Sequence, residues 1–249
     1  MEEVKVRHRN ETLLVLGVSL GKSAVYAVVA LAAMLTATTP LSQQSARLNP
    51  SLTPRPYLDL TYQLLGIFFA LVPVLLAIHF LNRDPGNARD LLGLNTRRWK
   101  FDIGSGVALA TIIGIPGLGL YLGAKALGVN ANVVPAGLPD LWWAVPVLIL
   151  AAVENAVLEE VVAVGYLVTR LKQWDWRLPT VIAVSALLRG SYHLYQGFGA
   201  FVGNAIMGVI FALFFLRYKR IGPLIIAHTL LDVVAFVGYT LLADRLNWI

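Results

Sequence analysis

Six polar residues in three groups lie inside stretches that are otherwise apolar. They are Glu159 with Glu160, Arg189 with His193, and His228 with Asp232. A charged side chain at bilayer depth costs roughly 2.5–3.5 kcal/mol even on lenient insertion scales, so such groups persist where they pair or work. The spacing of four puts Arg189 with His193, and His228 with Asp232, on one helix face each. Two adjacent carboxylates at such a depth require a cation on one of them. The other is then available as a general base working near neutrality. Glu159, His193 and His228, with Asp232, are also plausible ligands for a divalent metal such as zinc. A proton relay through buried acids and histidines is a third chemistry open to the same set.

The elements that must position these groups are transmembrane helices. The chain of 249 residues is 57% hydrophobic and 14% charged, with a mean hydropathy of +0.70. That excludes an ordinary soluble domain. It has no cysteine, which excludes a disulfide, a thiolate metal site and a cysteine nucleophile. The net charge of +6 comes from short loops between apolar runs, a pattern of membrane orientation rather than of nucleic-acid binding. Apolar segments at 13–36, 59–81, 101–127, 141–169, 178–195, 199–217 and 222–243 each span or nearly span a hydrocarbon core. The expected fold is an all-α polytopic bundle of about seven transmembrane helices. The count becomes eight if the long 141–169 segment breaks near Pro146 after an interfacial piece at Trp142-Trp143. The first apolar run is too long for a signal peptide and is interrupted by Lys22, so it reads as a retained span.

Of the 20 Lys and Arg, 14 fall in alternate loops: 5–9, 83–100, 170–177 and 217–220. The other loops and the C-terminus hold Arg47, Arg55 and Arg245. The positive-inside rule then places the N-terminus in the cytoplasm and the C-terminus outside, as in an inner or plasma membrane protein. Segments one to three offer little chemistry. Lys22 can snorkel or pair, His79 is interfacial and His8 lies in the tail. The proline-rich 37–58 loop extends over the outer surface. The chain reads as one integrated membrane domain, with supporting helices over 1–139 and the chemistry over 140–243.

Within segment four, Asn155 and Glu159 share a helix face, with Tyr166 further along it. In segment five, Ser185, Arg189 and His193 form a polar stripe. Rise per residue puts Glu159, Arg189 and Asp232 at about 15–17 Å from the cytoplasmic ends, compatible with one site.

Glu159-Glu160, an isolated intramembrane His193, and His228-Thr-Leu-Leu-Asp232 resemble the CPBP family of CAAX-processing and bacteriocin-processing intramembrane proteases. The family pattern is Glu-Glu-x-x-x-Arg, Phe-x-x-x-His and His-x-x-x-Asn/Asp on successive helices. The resemblance covers residues 140–243. It implies that Glu159 activates a water, that His193 holds it, and that His228 and Asp232 stabilise the oxyanion. Glu160 would partner the motif arginine. Family members are described both as metalloproteases and as metal-independent glutamic proteases. The expected cofactor is none; a metal-dependent member would use Glu159, His193 and His228. Two motif positions differ. Val164 stands where the arginine is expected and Arg189 where the phenylalanine is expected. These changes compensate if the cation has moved to helix five, with Arg189, Glu160 and Asn155 supporting the site.

The leading expectation is thus an intramembrane endopeptidase cutting a peptide bond in the cytoplasmic half of the bilayer. Its partners would be the lipid bilayer and a peptide or protein substrate, lipidated in some family members, and no nucleic acid. The alternatives are a non-catalytic relative acting in immunity or as a scaffold, and a proton-coupled transporter. The second is disfavoured by the absence of an internal repeat.

Overall fold

The computed structural model describes residues 2–242; Ala243 and Arg245, included in the expected last span and its external end, lie outside the described residues. The architecture is an all-α membrane bundle. Helices α1 (Glu2–Gly17) and α2 (Leu20–Thr36) form a pair bent by 49°. A Cβ at Gly21 would stand 2.8 Å from the Leu16 carbonyl oxygen, so glycine lets the chain fold back closely here. α3 (Pro56–Ala70) and α4 (Val72–Leu81) act as one apolar run. α5 (Ala88–Leu91) precedes α6 (Trp99–Ala126).

α7 (Ala144–Glu159) passes without interruption into a π-helical stretch, Glu160–Tyr166, and then into α8 (Leu167–Gln173). α9 (Leu178–Ser191), α10 (Phe198–Tyr218) and α11 (Gly222–Leu242) complete the bundle. Among the described residues, four helical runs are long and apolar enough to cross a membrane, and the bent α1–α2 pair adds a fifth. The run over 144–173 is long enough, but Glu154, Glu159 and Glu160 crowd its centre. The helix expected over 178–195 ends at Ser191, short of His193.

The alternative reading, with a break near Pro146, is not realised. Pro146 sits in the first turn of α7, where its missing N–H has no intrahelical partner to lose. The irregularity comes later, in the Val-rich π stretch, whose seven residues are all buried. π turns leave backbone carbonyls without regular partners. Ser185 of α9 donates its hydroxyl to the Ala163 carbonyl at 2.7 Å, so one of them is satisfied from the neighbouring helix. Tyr166 of this stretch packs with Phe211, Phe215 and Leu224 in the main core.

The two ends of the bundle are tied differently. At the end bearing the basic segments, fully buried Arg170 of α8 bonds Asp84 and donates to Glu11 Oε2 at 3.0 Å and the Phe80 carbonyl at 2.9 Å. His8 Nε2 lies 2.9 Å from Asp84 Oδ1. His8 is therefore a buried member of α1, not part of a loose tail. Arg220 donates to Asp102 Oδ1 at 2.6 Å and to the Asn95 carbonyl at 2.7 Å, joining the α10–α11 turn to the start of α6.

At the opposite end the connections are mostly backbone. Strands β1 (Ser45–Arg47) and β2 (Asn132–Val134) pair in parallel. The Ala131 N–H donates to the Gln196 carbonyl at 2.9 Å and the Phe198 N–H to the Val129 carbonyl at 3.0 Å. Gly197 has φ of 112°, and a Cβ there would lie 2.7 Å from Asn130 Cα, so the turn before α10 depends on glycine. The first half of the chain is woven into the second: α6 packs along α11, α2 against α9, and α1 against α8.

Candidate active site

Glu159 and Glu160 end α7 and begin the π stretch, and successive positions aim them at different neighbours. Glu160 is fully buried. Its Oε1 bonds the guanidinium of Arg189, itself fully buried on α9, and lies 2.7 Å from His228 Nδ1 on α11. Three helices therefore meet at one carboxylate oxygen. The Arg189 guanidinium also stacks over Phe211 of α10, 5.2 Å from the ring centre. Its other terminal nitrogen is 3.6 Å from Glu159 Oε2.

Glu159 faces a cavity of about 530 Å³. The Tyr192 hydroxyl donates to Glu159 Oε2 at 2.7 Å. With Tyr192 and Arg189 both on Oε2, Oε1 is the oxygen without a named partner. Asn155, His193, His228 and Asp232 line the same cavity. His228 Nε2 is 3.6 Å from Asp232 Oδ2. His193 lies in the turn after α9, and its Nδ1 donates to the Arg189 carbonyl at 2.9 Å. A neutral ring held this way keeps its Nε2 lone pair free to accept.

The structure thus brings together Asn155, Glu159, His193, His228 and Asp232 around one cavity, with Glu160 and Arg189 behind it. Tyr166 does not join them. The π turns rotate it away from the Asn155–Glu159 face and bring its ring 5.2 Å from the Arg170 guanidinium. Tyr192 is the functional residue the sequence did not single out. It follows the end of α9 and immediately precedes His193, and nothing in an aromatic residue beside a polar stripe marks it as a carboxylate partner.

Among the described residues, the acidic and imidazole groups whose ligand atoms come within 4.8 Å of one another are Glu159, Glu160 and His228. This differs from the set Glu159, His193 and His228 expected of a metal-dependent enzyme: His193, in the turn after α9, does not come within that distance of the others, and Glu160 does. The observed trio fits a divalent cation poorly. Glu160 Oε1 already serves both Arg189 and His228, and a cation there would face the fixed guanidinium charge.

Residues 141–234 match the family model described as type II CAAX prenyl endopeptidase Rce1-like. The match supports a CPBP-family protease domain over this stretch. It runs from just before α7 to two residues past Asp232 and so contains all six polar residues of the three groups. No curated protein and no solved structure matches the chain. The protein is an integral membrane protein, and the match supports a CAAX-type intramembrane endopeptidase in general.

Proposed function

We propose that the chain hydrolyses a peptide bond within the membrane, with Glu159 as the general base. The observation that carries this reading is the Glu159 carboxylate at the cavity wall, with Oε2 held by Tyr192 and His193, His228 and Asp232 lining the same space. Oε1 takes a proton from a water that His193 Nε2 holds by accepting its other hydrogen. The resulting hydroxide adds to the peptide carbonyl carbon. His228, carried as an imidazolium between the Glu160 and Asp232 carboxylates, donates Nδ1–H to Glu160 and presents Nε2–H to the oxyanion. Collapse expels the amine, which receives the proton from Glu159, and the peptide C–N bond is broken.

Arg189 takes the place of the family's motif arginine. It reaches Glu160 from α9 rather than from four residues along the same helix, where Val164 stands. The charge balance around the two carboxylates is kept, and with it the orientation of His228. No step needs a metal. The orientation expected from the positive residues puts the end bearing 5–9, 83–100, 170–177 and 217–220 in the cytoplasm of a plasma membrane protein.

The test is cleavage of a fluorogenic peptide library, with and without lipidated members, by purified wild type and Glu159→Gln. Both are assayed with and without a strong chelator. Activity is expected to be lost in Glu159→Gln and retained in chelator. A Glu159→Gln enzyme within a few-fold of wild type refutes the base assignment, and loss in chelator refutes metal independence.

A further inference from the structure

The cavity has a direction. Its floor is the group Glu159, His193, His228 and Asp232, and from there its walls run only one way. On α6 the lining residues are Ile113 to Tyr121, in the half of the helix nearer Ala126. On α10 they are Gly199 to Met207, in the half nearer Phe198. Leu48 and Asn130, from the two loops joined by the β1–β2 pair, line the far end. None of the basic segments at 5–9, 83–100, 170–177 or 217–220 contributes to it. Those segments are instead held together by Arg170 and Arg220.

Taking the proteolytic reading as given, we propose that the scissile segment reaches Glu159 from the membrane face carrying the 37–55 and 127–143 loops, the face opposite the basic one. The substrate class that suits the passage is an extended, uncharged segment of a membrane-anchored protein. Above the floor, the lining contains no charged side chain, and burying an unpaired charge there would be costly. It does contain amides and hydroxyls suited to a peptide backbone. Asn204 donates one hydrogen to the Ala200 carbonyl at 3.0 Å and has no further bond, so its carbonyl oxygen can take a substrate N–H. Gly117 leaves room along α6, where a Cβ would meet nothing within 4 Å, whereas at Gly203 of α10 a Cβ would stand 3.2 Å from Leu120 Cδ2. An extended chain can therefore lie close to the α6 backbone.

The absence of cysteine makes the test direct. Single cysteines are introduced at Ala200 and Gly117 in the cavity, at exposed Thr38 on the loop face, and at exposed Arg97 on the basic face. Sealed cells and inverted vesicles are then treated with a membrane-impermeant maleimide. Ala200→Cys and Gly117→Cys are expected to label in the preparation that labels Thr38→Cys, and to be protected in the one that labels Arg97→Cys. Labelling from the Arg97 side, or from neither side, overturns the proposal. The readout does not involve turnover. Failure of the protease reading itself would appear separately, as activity persisting in Glu159→Gln.

Discussion

Replacing Arg189 by methionine keeps the length of the side chain and removes its charge. Arg189 and Glu160 are both fully buried, so the substitution leaves a carboxylate in the core with only the His228 ring at 2.7 Å to compensate. Breaking a buried ion pair from one side costs about 3–5 kcal/mol. Loss of the contact with Phe211 adds about 0.5–2 kcal/mol, and the remaining His228 contact pulls the total toward the lower end. For a chain of this size each kcal/mol moves the melting temperature by about 2–4 °C, so a fall of roughly 6–20 °C is expected in detergent. The double variant Arg189→Met/Glu160→Gln removes both charges and should lose less than the two single variants together. Additivity within about 0.5 kcal/mol would show that the contact carries no coupling and would refute the account of Arg189 given above. Adding Val164→Arg to Arg189→Met returns the cation to its usual motif position and is expected to recover part of the loss.

Tyr192→Phe removes the hydroxyl that holds Glu159. A hydrogen bond to a charged group contributes about 1.5–3 kcal/mol, so kcat should fall roughly 10- to 100-fold with KM little changed, and an unchanged kcat would count against the assignment. Burial alone would raise the Asp84 carboxyl, but His8 and Arg170 more than offset it and hold the group below its usual value. A lowered folded value gives stability that is present above the unfolded value of about 3.9 and lost as pH falls through the folded one. The melting temperature of the wild type should therefore drop more steeply below about pH 4 than that of Asp84→Asn; parallel profiles from pH 6 to pH 3 would refute this. Gly197→Ala forces a side chain into a turn with φ of 112° and against Asn130, and should cost about 1–3 kcal/mol, measured as a lower melting temperature.

The positions of the helices and the identity of the polar groups were legible because both rest on composition along the chain. Apolar runs longer than the bilayer is thick mark spans. Ionisable residues within them stand out against that background, and the alternation of basic loops matched the two ends the structure ties together. What could not be read depends on backbone geometry. The π stretch has no compositional mark beyond β-branched valines, yet it turns Tyr166 away from the site and brings Arg170 to Asp84. The turn after Ser191 moved His193 off its helix while keeping it four residues from the Arg189 carbonyl. Tyr192 and the direction of the cavity emerge only once three helices and two loops have met. His8 and Arg170 looked like loop charges because a buried ion network draws on residues separated by most of the chain.

The π stretch also bears on which changes in chain length the protein can accept. Its wide turns accommodate more residues per turn than an α-helix, and so set the angular offset between Glu160 and Arg170. Deleting one residue among Val161 to Val164 would let an ordinary α-helix run through, and the tighter winding of the remaining residues would nearly restore the angle between Glu160 and Arg170. Glu160 would stay against Arg189 and His228, and Arg170 near Asp84 and Glu11, while the side chains between them change faces. The same deletion in α7 or α8 would instead turn everything beyond it by about 100°. Loss of one residue is therefore expected to be better tolerated within the π stretch than on either side of it.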